Sequence, residues 1–285
     1  MRFEVVELLL CPYCGDRLSL NGPTLKCGSG HSFDVARQGY VNLLRGDRRP
    51  PTGDTAPMVR ARQKFLERGH FAGLRDAIVE TALRAVTEAS VERSAQGCVV
   101  EVGAGTGYYI SGVLERMPDR AGLALDVSKF AVRHAARTHE RLGAVACDTW
   151  QRLPVRSHSA ALILDIFAPR NPPEFRRILE PQGRLVVVTP RDRHLSELVR
   201  ALGLLEVDRR KQERLDARLA EDFVPVFSAR YDEFLALSPT EVAALAAMGP
   251  SAFHIPAEEV VRKSALLNDS VTVTISVDIS VYRSA

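Results

Sequence analysis

Long apolar runs are missing from this chain of 285 residues. None approaches the ~18 consecutive apolar residues that a membrane helix needs. The opening MRFEVVELLL is apolar in part, but acidic residues interrupt it and no small-residue cleavage site follows, so it does not read as a secretory signal. Cysteine is scarce: there are five, an odd number, and they are not spread as a disulfide framework. A reducing, cytoplasmic setting is expected. Internal repeats and low-complexity tracts are absent. No sign of charge dominates either. The formal net charge of +3 does not by itself mark a nucleic-acid binder. Lysine is rare, 5 against 33 arginines, which suits bidentate phosphate contacts but also follows from GC-rich coding. What remains is ordinary globular composition, 46% hydrophobic and 26% charged, in a length that fits one large domain and one small one.

Three segments are legible. Residues 1–44 hold short apolar pieces between turn signals (Asn21-Gly22-Pro23, Gly28-Ser29-Gly30), which predict β-hairpins. Residues 45–57, RGDRRPPTGDTAP, have the composition of a flexible basic linker. From Met58 the spacing becomes helical, broken near Gly69, and the chain then alternates apolar strands with amphipathic helices. CVVEVG, AGLALDV, GAVAC, SAALILDIFAP and GRLVVVTP are the strands. That alternation predicts an α/β fold with a mostly parallel sheet covered on both faces, over 58–285. The end differs. FVPVFSARYDEF and SVTVTISVDISVYR predict antiparallel strands that close the sheet, the last with one fully apolar face.

Three of the five cysteines crowd into CPYCGDRLSLNGPTLKCGSGH. Cys11 and Cys14 form a C-x2-C pair, and Cys27 and His31 follow at C-x3-H spacing. Three thiolates and one imidazole from two turns suit a tetrahedral Zn²⁺ and leave no open position, so the site reads as structural. A redox pair at Cys11 and Cys14 is the weaker alternative. A segment of 44 residues has too small a core to fold alone, and ligation would supply the missing stability.

VVEVGAGTGYY places Glu101, Gly103, Gly105, Thr106 and Gly107 where a strand passes into a helix. Such a turn lets a ligand approach the backbone and frees helix N-terminal amides. Asp126 ends the next strand and can accept from two ribose hydroxyls. Asp148 ends the third and could accept from an adenine amino group, with Leu153 or the Trp150 ring on the base face. G-x-G-x-x-G spacing is absent, which counts against a nicotinamide site.

Together these strings resemble the 23S rRNA (guanine-N1-)-methyltransferases that use S-adenosylmethionine. The resemblance runs through the four-ligand knuckle, HSFDVARQGYVNLL, GDTAPMVRARQKFLERGHF, EVGAGTGYY, ALDVSKFAVRHAA, the Phe167–Pro169 string and TPRDRHLSEL. It is nearest to the branch linked to tylosin-type macrolide resistance, which acts on a guanine around position 748; a sister branch modifies the neighbouring guanine around position 745. The resemblance implies a class I (Rossmann-like) methyltransferase sheet with an N-terminal zinc-ribbon-like, RNA-recognising domain. It implies zinc on Cys11, Cys14, Cys27 and His31, and cofactor contacts from Phe71, Gly103, Gly105, Thr106, Gly107, Asp126, Asp148 and His194. Many members carry tyrosine at the place of Phe71, so a phenolic hydrogen bond is lost here. It also implies a homodimer with a cleft between the two domains for an RNA hairpin.

For the chemistry, Asp165 in LDIFAPRNPP is a candidate base or base-binder, or else a strand-end anchor, while Phe167 and Pro169 would shape the base pocket. RNA contacts are expected from arginines: Arg37 after the knuckle, Arg45, Arg48 and Arg49 in the linker, and Arg60 and Arg62 at the first long helix. Two other readings stand beside this one: a zinc-bearing methyltransferase with a different substrate, and a zinc-ribbon regulator that binds nucleic acid without catalysis.

Overall fold

The computed structural model describes residues 3–47, 53–90, 97–205 and 209–285. The chain runs α1 (Phe3–Val6), β1 (Ser19–Asn21), β2 (Thr24–Lys26), β3 (Ser32–Asp34), β4 (Tyr40–Asn42), α2 (Ala56–Glu67) and α3 (Ala72–Ser90). It continues through β5 (Cys98–Val102), α4 (Tyr108–Arg116), β6 (Gly122–Asp126), α5 (Lys129–Ala135), β7 (Leu142–Ala146), β8 (Ala160–Ile166), α6 (Pro172–Ile178) and β9 (Leu179–Pro190). It ends with α7 (Ser196–Leu202), α8 (Arg209–Ala220), β10 (Phe223–Leu237), α9 (Pro239–Ala247), α10 (Ala257–Ser264) and β11 (Val271–Ser284). Among the described residues no helix is long and apolar enough to cross a membrane.

A small antiparallel sheet, β1-β2-β3, carries the knuckle. The large sheet has eight strands in the order β10-β11-β9-β8-β5-β6-β7-β4. The strands from β4 through β9 are parallel, whereas β11 runs antiparallel to β9 and β10 antiparallel to β11. Strands β5, β7 and β8 are buried along their whole length, as a sheet covered on both faces requires. Alternate residues of each strand feed two cores. Val99, Leu162 and Leu164 face α3 and α4; Val100, Val102 and Ile163 face α6 and the N-terminal segment. The helical break expected near Gly69 is there, with Gly69 at φ 80 between α2 and α3.

Two boundaries differ from the sequence reading. Helix α2 starts at Ala56, inside the segment read as linker, with proline at its first turn. More consequentially, residues 1–44 do not close on themselves. Tyr40, Val41 and Asn42 pair with Ala144, Val145 and Ala146, so the knuckle segment supplies the outermost parallel strand of the large sheet. The reason is burial. Val41 and Leu43 are 0% and 2% exposed, packed in one knuckle-side core with Val100, Val102 and Val145 of the large sheet. The last strand also differs: Thr274 and Ser276 on its polar face are buried, Thr274 giving its N–H and hydroxyl to Glu197 of α7 and Ser276 its N–H to His194.

Candidate functional site

The knuckle is built by two tight turns. Gly15 at φ 79 returns its N–H to the Cys11 carbonyl at 2.9 Å, and Gly30 at φ 87 returns its own to Cys27 at 3.1 Å. These turns bring one ligand atom each from Cys11, Cys14, Cys27 and His31 within 4.8 Å of one another. Cys14 Sγ lies 3.6 Å from Cys27 Sγ, and Cys27 Sγ lies 3.4 Å from His31 Nδ1. Zinc–sulfur bonds of about 2.3 Å in a tetrahedron require sulfur–sulfur edges of this size, so the donor set fits Zn²⁺ in kind and spacing. Burial pushes the Cys11 thiol up, so its thiolate form calls for a cation beside it. With four ligands committed, the ion would be structural.

Tyr13 lies within the C-x2-C turn, between Cys11 and Cys14. Its ring stacks on His31 at 5.1 Å and on Phe33 at 6.2 Å, and its hydroxyl accepts from the Gly46 N–H. The Arg45 guanidinium stands 5.4 Å from the ring centre and is held by Asp47 at 2.6 Å. Where the knuckle meets the loop after β7, Tyr13, Arg45, Arg152 and Pro154 line a cleft of about 200 Å³. Of the other arginines expected to meet RNA, Arg37 and Arg60 are exposed, and Arg48 and Arg49 lie outside the described residues.

The second centre lies at the carboxyl ends of the parallel strands. Gly103 and Gly105 adopt φ 69 and 54, a region costly for other residues. At Gly103 the turn has no room: a Cβ would stand 2.5 Å from the Ala168 Cβ, so the glycine lets the Phe167–Pro169 turn close down on it. Beneath it, the buried Glu101 carboxylate accepts from the Ile110 N–H and is pushed up to about 8 by burial. Asp126 Oδ2 accepts from the Gly105 N–H at 2.8 Å and Oδ1 from the Ser128 N–H at 2.7 Å. Burial raises the Asp126 carboxyl, while these two donors and Arg62 oppose the rise. Its remaining lone pairs suit ribose hydroxyls. Asp148 is half-buried and accepts from the Trp150 N–H; Trp150 is exposed. Leu153, offered as the alternative base-face contact, is fully buried in the knuckle-side core instead, because its strand-end loop is pinned under α6 by Glu174.

Phe167 is 42% exposed and sits at φ 54. Its ring lies 5.6 Å from that of His194. His194 Nδ1 accepts from the Ser276 N–H, and burial pulls its pKa down to about 4, so the ring is neutral at neutral pH with Nε2–H as donor. Thr106 and Gly107 lead into α4 and are buried. Phe71 is 4% exposed and packs edge-on against Phe65 at 5.2 Å, within the core under α2 and α3.

Asp165 is 1% exposed on the sheet face opposite Glu101, and burial holds its carboxyl well above the usual carboxylate range. Its nearest cation is Arg170 Nε at 3.9 Å, and Arg170 Nη1 in turn donates to Asp216 at 2.7 Å. The sequence reading missed Arg170, although it stands one residue past the Phe167–Pro169 string. It also missed Asp54 and gave Arg62 to RNA. Arg62 instead pairs with Asp54 at 2.8 Å beside Gly105, and Ser128 Oγ donates to the Asp54 carbonyl. The segment GDTAP was visible as a motif, but its position over the glycine turn was not.

Counted from β5, the sheet reads third-second-first-fourth-fifth, followed by a last strand turned over and inserted beside the fifth. With the glycine turn after its first strand, this is a class I S-adenosylmethionine-dependent methyltransferase sheet, fronted by a zinc ribbon. Residues 9–47 match the zinc-ribbon family described as "RlmA, N-terminal". The chain is 47% identical over 285 residues to the Streptomyces fradiae 23S rRNA (guanine(748)-N(1))-methyltransferase, covering 99% of each. It is 45% identical over 294 residues, again 99% of each, to a Micromonospora griseorubida protein provisionally named a 23S rRNA (guanine-N(1)-)-methyltransferase. Among solved structures, the MccD protein superposes with a TM-score of 0.48 at 14% identity, covering 73% of this chain and 96% of that one. The chain belongs to the 23S rRNA (guanine-N1)-methyltransferase family.

Proposed function

We propose that the protein methylates N1 of a guanine in a 23S rRNA hairpin, at the site around position 748, with S-adenosylmethionine as donor. The observation that carries this is 47% identity over 99% of each chain with the S. fradiae enzyme, whose name specifies that position. Bound cofactor supplies an electrophilic sulfonium methyl. The chain's residues do the rest. Gly103, Gly105 and Thr106 present backbone to the cofactor, Asp126 accepts from its ribose and Asp148 from its adenine. Phe167, exposed at the mouth, offers a face to the guanine, with Pro169 bounding the pocket. Guanine N1 keeps its proton at neutral pH, so the site must hold N1 in line while that proton passes to solvent water at the open mouth. Such positioning contributes several kcal/mol. Asp165, buried with Arg170 Nε 3.9 Å away, is out of reach of solvent and is not the base in this reading. His194 holds the Ser276 N–H with Nδ1, which leaves Nε2–H as the ring's donor.

N1 methylation blocks Watson–Crick pairing and stops reverse transcriptase. Primer extension on 23S rRNA from cells with and without the gene should show a new stop at position 748. A stop at the neighbouring guanine around position 745 would move the enzyme to the sister specificity. No stop at either would reject the rRNA assignment. The same reading takes the enzyme to be a cytoplasmic homodimer that protects ribosomes from tylosin-type macrolides.

A further inference from the structure

We propose that Arg62 binds the α-carboxylate of S-adenosylmethionine, with Asp54 fixing its orientation. The inference rests on the methyltransferase reading and adds to it a cofactor contact that the glycine turn and the strand-end acids do not provide. Arg62 lies on the half-buried side of α2, directly over the turn. A Cβ placed on Gly105 would stand 3.6 Å from Arg62 Cδ and 3.8 Å from its Nε. Nη2 is committed twice, to Asp54 Oδ2 at 2.8 Å and to the Met248 carbonyl at 2.7 Å. Nε is buried and, among the described residues, meets no acceptor. A buried donor left unsatisfied is costly, and an arriving anion at that place would recover the cost.

The chemistry of the ligand selects which of its groups comes here. Its ribose and adenine offer hydroxyls and neutral nitrogens, which suit Asp126 and Asp148. Its amino-acid end carries the one carboxylate. The acids around the turn, Asp54, Glu101 and Asp126, cannot receive that group; Arg62 can, and guanidinium is the side chain best matched to a carboxylate. The alternative role, a phosphate contact on RNA, fits the geometry poorly. Arg62 is clamped to two other segments, whereas Arg60, two residues away, is exposed. Asp54 is itself fixed, because Ser128 Oγ holds its carbonyl to the turn after β6. The Gly53–Arg62 strap is thus fastened to the cofactor cradle at its Asp54 end, and Arg62 is held over Gly105 by Asp54 and the Met248 carbonyl.

Titration calorimetry with two probes tests the assignment. S-Adenosylhomocysteine carries the amino-acid carboxylate, and 5′-methylthioadenosine lacks it. R62Q should weaken S-adenosylhomocysteine by about tenfold or more, as loss of a charge-assisted hydrogen bond implies, and leave methylthioadenosine within about twofold. R62K keeps a cation for Asp54 but has no N–H at the Nε place. It should show the same selective loss, and it carries the test if R62Q does not fold. Equal weakening of both probes would overturn the proposal in favour of a purely structural clamp, and so would unchanged affinity for both. Wild-type protein that binds neither probe would instead sink the methyltransferase reading, and the proposal with it.

Discussion

His194 concentrates several effects in one ring. It follows the fifth parallel strand, accepts a backbone N–H from β11 and lies against Phe167. Its folded pKa of about 4 lies below the ordinary value of 6.5. Between those values the unfolded chain binds more protons than the folded one. The stability is therefore complete above about pH 6.5 and drains as pH falls toward 4, by at most about 3 kcal/mol. Urea midpoints measured from pH 4 to 7 should rise over this window in the wild type and rise less in H194N. Parallel curves would show that the ring takes up its proton without penalty. The neighbouring Phe167 and Leu195 both hold positive φ, at 54 and 56, so the two rims of the mouth are set in backbone conformations that only surrounding structure maintains.

The strands and helices were largely readable from periodicity. The five parallel strands, the helix break at Gly69 and the antiparallel finish all follow from runs whose period and punctuation are unambiguous. The four zinc ligands were readable because their spacing is itself the chemistry. What could not be read was long-range pairing. Nothing in YVN announces that it will lie beside Ala144–Ala146, about 100 residues on. Nor does a strictly alternating β11 reveal that Thr274 is buried by Glu197 of α7, which takes both its N–H and its hydroxyl. For the same reason Arg62 could be singled out as an RNA contact in the sequence but not assigned its neighbour Asp54. The pairing of β4 makes the metal site and the sheet one cooperative system. Removing zinc with a chelator should lower the melting temperature by roughly 5 °C or more. Hydrogen exchange should then accelerate not only in the knuckle but at Val145 in β7. Loss of protection confined to residues 9–34 would show the two to be energetically separate.

For the molecule as a whole, the proposed function requires the knuckle and the sheet's carboxyl-end site to act on one RNA. The knuckle contributes a stacked Tyr13–His31 pair, an arginine over the tyrosine ring and, across the cleft, Arg152. Basic groups with an aromatic between them suit single-stranded or looped RNA, where phosphates and unstacked bases are both on offer. The double variant R45A/R152A should bind the rRNA hairpin more weakly. Its plot of log affinity against log salt should be shallower by about one to two units than the wild type's. An unchanged slope would place the phosphate contacts elsewhere, with Arg37, Arg48, Arg49 and Arg60 the next group to neutralise.

The β4–β7 pairing also bears on synthesis. The ribbon is made before the sheet that follows it, and its ligands lie within residues 11–31, so it can capture its ion while that sheet is still being synthesised. The strand that follows must then wait, edge open, for a partner made about 100 residues later. A growing polypeptide would for that interval carry a finished metal centre tethered to an unpaired strand, a stage at which zinc supply and chaperone cover would decide yield.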